Sequence, residues 1–260
     1  MDTARASSPP ATRSRTPLPI VVWRAVIAGL AWWGLLAALH GDLTQLRYFS
    51  QVTTLTVALT ASASVLGFAV TSTRWDTALT WCRGASTTYT IVTAVIYQVL
   101  LSGNLDATSS LLEHAVVPAL AVIDWVAFGP GRVRQSWWTP LSWLVLPICY
   151  LAVYDNVRDS SGKPLYPFLD PGAATFWTWV GIMIGVFIAV GALVWGVGLV
   201  RSAAARRAAT IPPASGRWPE RLSGDPDNYG AAGSGNDRRG LVLSDTASDL
   251  RSWESVSQDS

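Results

Sequence analysis

Charge is the scarcest commodity in this sequence. Only 14% of its 260 residues are Asp, Glu, Lys or Arg, and most of that charge sits in the two tails and in short connections. A water-facing globular domain with so little charge would be unusual. Lysine is nearly missing: of 19 basic residues only Lys163 is Lys, and the net charge of +2 gives no basis for a nucleic-acid partner. The two cysteines, Cys82 and Cys149, are too few for a disulfide framework. Lying at different depths of the chain's apolar runs, they are expected as free thiols. There are two histidines, His40 and His114, and no zinc-ligand spacing, phosphate loop, dinucleotide fingerprint or internal repeat. No cofactor or metal is expected.

What fills the sequence instead is apolar. Half of it is hydrophobic and mean hydropathy is +0.31, which places the chain among integral membrane proteins. Fourteen Trp and seven Tyr suit the headgroup level, where amphipathic rings partition. Six apolar runs, at 20–39, 48–72, 84–102, 111–128, 137–156 and 173–200, are each about long enough to cross a hydrocarbon core of roughly 30 Å. The expectation is an all-α bundle of six transmembrane helices. The first run is too long for a signal h-region and reads as a span. Residues 1–19 and 201–260, rich in Pro, Ser, Gly and Arg, are expected as disordered cytoplasmic tails.

Arginine and lysine near span ends are retained on the cytoplasmic side. One side collects Arg5, Arg13, Arg15, Arg74, Arg83, Arg132, Arg134, Arg201, Arg206 and Arg207; the other has Arg47, Arg158 and Lys163. Both termini are therefore expected in the cytoplasm of a cell whose plasma membrane holds the protein as a multi-pass bundle.

The fourth run, LLEHAVVPALAVIDWVAF, spans roughly 27 Å yet carries Glu113, His114 and Asp124. An Asp at the centre of a membrane helix costs about 2.5–3.5 kcal/mol, so such residues point to a site unless they reach headgroup water. The second run starts Tyr48-Phe49-Ser50 from the same face, so Ser50 and His114 lie at matched depth. A serine hydroxyl becomes a nucleophile when an imidazole takes its proton. Ser and Thr also serve membrane helices as packing residues, and the stripe Thr87, Thr90, Thr93, Tyr97 in the third run reads that way. His40, also at the outer face, is the competing base. The loop 157–172, with Pro164, Pro167 and Pro171, reads either as a stiff lid over the outer mouth or as a plain connector.

The segments Tyr48-Phe49-Ser50, Leu112-Glu113-His114-Ala115-Val116-Val117-Pro118, Asp124-Trp125, Pro147-Ile148-Cys149-Tyr150 and Tyr166-Pro167-Phe168-Leu169-Asp170 occur in the order seen in a family of bacterial six-span membrane proteins. Over about residues 20–200 the chain resembles distant relatives of the androgen-induced and androgen-dependent TFPI-regulating proteins. Those relatives are intramembrane hydrolases that cleave fatty acid esters of hydroxy fatty acids with a Thr and a His. The resemblance implies Ser50 in the Thr position and His114 as its base. The chain departs from the bacterial pattern at Thr53-Thr54, where Ser-Asn is usual, and at Glu113, where an apolar residue is usual.

Three readings follow. In the first, Ser50 and His114 hydrolyse a membrane lipid ester near the outer leaflet, with Tyr97, Gln98, Asn104, Tyr154 and Asp155 at a suitable depth to supply an oxyanion donor or to orient His114. In the second, His114 and Asp124 mark a proton or solute path of a transporter or sensor. In the third, the polar residues only pack a scaffold. The basic asymmetry makes its own prediction: reporters fused after Ser260 and inserted within Ser160 to Gly162 report opposite sides of the membrane. Two cytoplasmic signals would sink the six-span topology.

Overall fold

The structure, a computed structural model, describes residues 18–67, 73–130, 135–154, 156, 159 and 161–210; side chains are described from residue 77 in the third helix and to residue 208 in the last. The chain divides into two units, Met1–Pro212 and Pro213–Ser260, and the second lies outside the described residues. So do nearly all residues of the expected disordered tails. Every regular element described is helical.

Helix α1 is Leu18–Leu39 and α2 is Phe49–Leu66, joined by a 3-10 turn at Leu43–Arg47 that Asp42 caps through Thr44. Helix α3 is Thr73–Leu100. The fourth apolar run forms three consecutive pieces: α4 at Thr108–Leu111, a π-helical turn at Leu112–Val116, and α5 at Val117–Phe128. The fifth is α6, Thr139–Ser142, and α7, Val145–Tyr154; the last helix, α8, is Phe176–Thr210. Among the described residues four helical segments are long and apolar enough to cross a membrane: Leu18–Leu39, Phe49–Leu66, Thr108–Phe128 and Phe176–Ala208.

The helices differ from the expected runs at three places. The third run does not start at residue 84: α3 begins at Thr73, and Arg83 is buried within the bundle rather than lying in a cytoplasmic connection. A charge normally ends an apolar run, but this one is neutralised by Asp124, as shown below. The fifth run is not one helix over 137–156. Pro147 has no N–H for the carbonyl of Trp143, four residues back, and its ring crowds that carbonyl. The chain turns at Trp143 and Leu144, and the freed Trp143 carbonyl accepts the Tyr89 hydroxyl at 2.7 Å. Third, the tail expected from residue 201 is helical as far as Thr210. At about 1.5 Å per residue, α8 is roughly 52 Å long, far more than a hydrocarbon core needs.

Two clusters hold the helices. Alanines face each other between α1 and α2, with Ala28 and Ala31 against Ala58 and Ala61, closed by Ile27, Val57 and Val117. Small residues let membrane helices approach until their backbones are in van der Waals contact, which replaces the hydrophobic drive that lipid does not supply. The second cluster joins α3, α5, the turn between α6 and α7, and α8 through Ala85, Tyr89, Val92, Trp125, Trp143, Phe187 and Val194. Trp125 donates its indole N–H to the Val194 carbonyl at 2.7 Å and meets Trp143 edge-on. The threonines of α3 behave as packing residues: Thr88 and Thr90 donate to carbonyls one turn back, at Gly84 and Ser86. Cys82 and Cys149 are free thiols.

Gly84 makes the second cluster close. A Cβ there would stand 2.3 Å from Trp143 Cζ2 and 3.1 Å from Trp125 Cη2. Gly84→Ala should therefore destabilise the bundle by about 1–3 kcal/mol through overpacking. Gly29→Ala, where a Cβ meets nothing within 4 Å, should be neutral or mildly stabilising through helix propensity. Unfolding midpoints of the two variants in detergent check this; equal midpoints would contradict the packing account.

Candidate functional site

A single missing N–H shapes the site. Pro118 cannot donate to the carbonyl of His114, four residues back, and its ring collides with it. The helix responds by widening, so that Val117 N–H reaches five residues back to the Leu112 carbonyl. Single π turns of this kind collect at functional sites, because the extra residue turns neighbouring side chains to new directions. Here it buries Leu112, Glu113 and His114 together.

The His114 ring stacks on Tyr97 of α3, with centroids 3.7 Å apart and planes 6° from parallel. Tyr97 is itself fixed. Its hydroxyl donates to the Asn104 carbonyl at 2.8 Å and accepts from Ser110 Oγ at 2.8 Å, while Gly103 N–H bonds its carbonyl. Only glycine fits at 103, since a Cβ would lie 2.2 Å from the Tyr97 ring. The imidazole Nδ1 is buried and has no hydrogen-bond partner among the described residues.

One residue earlier, Glu113 accepts at Oε2 from Gln51 Nε2 at 2.9 Å, and both side chains are buried. This bond ties the backbones that carry Ser50 and His114: Gln51 follows Ser50 on α2, and Glu113 precedes His114 in the π turn. Gly34 of α1 lets the turn sit close, since a Cβ there would be 3.0 Å from Leu112 Cβ. α2 also packs directly on the π turn and α5, which brings the second and fourth runs together as neighbours.

Ser50 and His114 line the same cavity, of about 270 Å³. No hydrogen bond joins them among the described residues. Its walls are apolar, from Ile148 and Leu151 of α7 and Met183, Ile184 and Phe187 of α8. Thr93 reaches it too, with a buried hydroxyl that has no partner among the described residues. Sequence reasoning placed Thr93 in a packing stripe; its only signal was its position one turn before Tyr97.

The loop between α7 and α8 roofs the cavity: Leu165, Tyr166, Phe168 and Leu169 all line it. Asp159 builds the base of the loop by accepting from Ser161 and from Lys163 N–H, bonds that hold its carboxyl below the usual carboxylate range. Tyr166 then crosses to α2, where its hydroxyl accepts Phe49 N–H at 2.9 Å, one residue from Ser50. Burial pushes the Tyr166 hydroxyl up to about 12, so at neutral pH it stays a phenol. Tyr150 donates to the Arg47 carbonyl at 2.7 Å and Tyr154 accepts Tyr166 N–H at 3.1 Å.

The other expected residues are distributed differently. His40 is exposed at the end of α1, bonded to the Ala38 carbonyl, and does not line the cavity. Tyr97 and Tyr154 line it; Gln98 and Asn104 are exposed and do not, and Asp155 lies outside the described residues. Asp124 lies in a second, smaller cleft away from His114. There Arg83 donates to Asp124 Oδ2 through Nε at 2.9 Å and Nη2 at 2.6 Å, and Arg24 Nε approaches Oδ1 at 3.3 Å. Among the described residues no group of three or more His, Cys, Asp or Glu is placed to hold a metal.

No family model, curated protein or solved structure matches this chain.

The Gln51–Glu113 bond gives a prediction about the frame of the site. Gln51→Leu leaves a buried carboxyl without its donor and should cost about 1–3 kcal/mol. Glu113→Gln keeps an acceptor for Gln51 and should cost less. Chemical or thermal unfolding in detergent compares them; an equal loss in both would remove the bond as a fastener of α2 to the π turn.

Proposed function

We propose that the chain is a six-span plasma-membrane protein with both termini in the cytoplasm, and that its outer cavity is the site of a Ser/His lipid-ester hydrolase. The observation that carries this reading is that Ser50 and His114, on separate elements, line one apolar cavity under an aromatic roof. In the six-span reading α3 and the α6–α7 pair complete the bundle. α3 has the length, and its polarity comes from threonines bonded within its own helix and from the neutralised Arg83. The segment Thr139–Tyr154 is shorter, and its neighbours Trp137 and Trp138 are exposed, as interfacial anchors would be.

The chemistry follows from the groups present. The acyl chain of a membrane lipid ester lies along α7 and α8, which places the ester near Ser50. Ser50 Oγ attacks the carbonyl carbon while His114 takes its proton. The tetrahedral intermediate places negative charge on the former carbonyl oxygen, and Thr93, whose buried hydroxyl has no partner among the described residues, donates to it. Collapse expels the alcohol, which takes the proton back from His114, and water then cleaves the acyl-serine by the same route. Stacking on Tyr97 holds the imidazole plane in place of the carboxylate that orients the histidine in other triads.

The transporter reading joins His114 to Asp124, and two observations weigh against it. The two residues lie in different cavities, and Asp124 is engaged by two guanidinium groups, a poor state for a group that must release and rebind a proton.

The hydrolase reading predicts that Ser50→Ala and His114→Ala each remove most ester turnover and that the double variant is little worse than either, because the pair acts as one unit. A fluorophosphonate probe should label the wild type and not Ser50→Ala. No labelling, together with no turnover on a broad panel of lipid esters, would overturn the proposal.

A further inference from the structure

Among the described residues, the charge balance at the opposite end of the bundle does not close. Asp124 is buried against Arg83, which is buried with it and also donates Nη2 to the carbonyls of Asp124 and Phe128. Arg201 donates to the neighbouring Ala127 carbonyl. The negative end of the α5 dipole and the Asp124 carboxylate are thus already matched by Arg83 and Arg201. Arg24 is then a surplus cation. Its Nε touches Asp124 at 3.3 Å, its Nη groups make no hydrogen bond among the described residues, and its side chain is only 13% exposed. A guanidinium within a helical bundle that shares its one carboxylate with a second arginine is only partly compensated, and such charges are retained where they meet a further counter-charge.

A cleft lies beside it. Arg24, Arg83 and Asp124 line about 30 Å³ together with the hydroxyl-bearing Thr60, Ser64 and Thr87. That is the share of one water or one oxygen atom. The Thr60 hydroxyl makes no hydrogen bond among the described residues, so hydroxyl and guanidinium donors face the same space. The geometry points to a phosphate-binding site: one phosphate oxygen enters the cleft, accepts from the Arg24 Nη groups and Thr60, and the rest of the group stays at the mouth. Arginine's planar fork suits that ligand, because two parallel N–H groups meet two phosphate oxygens. The phosphate is supplied by a lipid headgroup of the basic leaflet or by free phosphate. The site is independent of the hydrolytic cavity and does not rest on it.

The test uses full-length protein in detergent and follows the unfolding midpoint. Inorganic phosphate is titrated against sodium chloride at matched ionic strength, and phosphatidic acid against diacylglycerol of the same chains. Wild type should be stabilised by phosphate, by phosphatidic acid or by both, with apparent affinity at least tenfold weaker in Arg24→Gln. That variant leaves the Arg83–Asp124 pair balanced and should fold. Arg24→Lys, which keeps the charge and loses the fork, should fall between them. Asp124→Asn adds one unit of positive charge and should bind more tightly than wild type if it folds. A response to phosphatidic acid alone assigns the headgroup, and a response to inorganic phosphate assigns the free anion. If neither ligand stabilises wild type, or if Arg24→Gln responds as wild type does, the site is overturned and the cluster is a structural ion pair only.

Discussion

Inside a bilayer every backbone carbonyl must find a donor within the protein, and two prolines in this bundle withhold one. Much of the architecture is the response. At Pro147 the freed Trp143 carbonyl takes the Tyr89 hydroxyl, and the resulting turn presses Trp143 against Gly84 and Trp125. At Pro118 the helix widens into the π turn, which places Glu113 on Gln51 and His114 on Tyr97. The same covalent defect is met in two ways: at Pro147 a tyrosine of α3 donates to the freed carbonyl, and just before Pro118 the backbone changes its hydrogen-bond spacing from four residues to five.

Polar chemistry is thereby sorted to the two ends of the fourth apolar run. Its first turns hold an imidazole and a carboxyl that accepts from an amide, and among the described residues no cation is paired with either there. Its last turns hold a carboxylate between two arginines, with further arginine donors on the last carbonyls. Ionic groups thus stand where the basic leaflet is proposed to lie, and hydrogen-bonding groups of smaller charge stand beside the cavity. A hydrolytic site benefits from that separation, because a fixed cation beside the imidazole would disfavour its taking a proton.

The helical class was legible because six apolar runs of spanning length admit little else in a bilayer. Boundaries were less so, for a reason visible in Arg83. A charge ends a run unless its partner is known, and Asp124 lies 41 residues away. Nothing local pairs the two. The matched depth of Ser50 and His114 was readable from run order alone, and the structure brings both to one cavity. What converts depth into orientation was not read: Pro118 stands four residues after His114, and that spacing is a local signal for a disturbed helix. Thr93 was hidden for the opposite reason. Its neighbours Thr88 and Thr90 do serve packing, and only the missing partner of its hydroxyl separates it from them.

The cavity has walls of unequal stiffness, and this decides which side would open to admit a bulky ligand. One wall, formed by α2, the π turn and α3, is fastened by the buried Gln51–Glu113 bond, by the Tyr97 stack and by threonines bonded to their own helix. The opposite side, α7 with the loop that follows it, is tied to the start of α2 by Tyr166 to Phe49 N–H and Tyr150 to the Arg47 carbonyl, with ring contacts around Phe49. Two such bonds contribute about 1 kcal/mol each. Breaking the other wall would strand a carboxyl and an amide where nothing replaces their partner. The aromatic roof is therefore the cheaper part to move, and its opening leaves Ser50, His114 and Thr93 on the wall that stays in place.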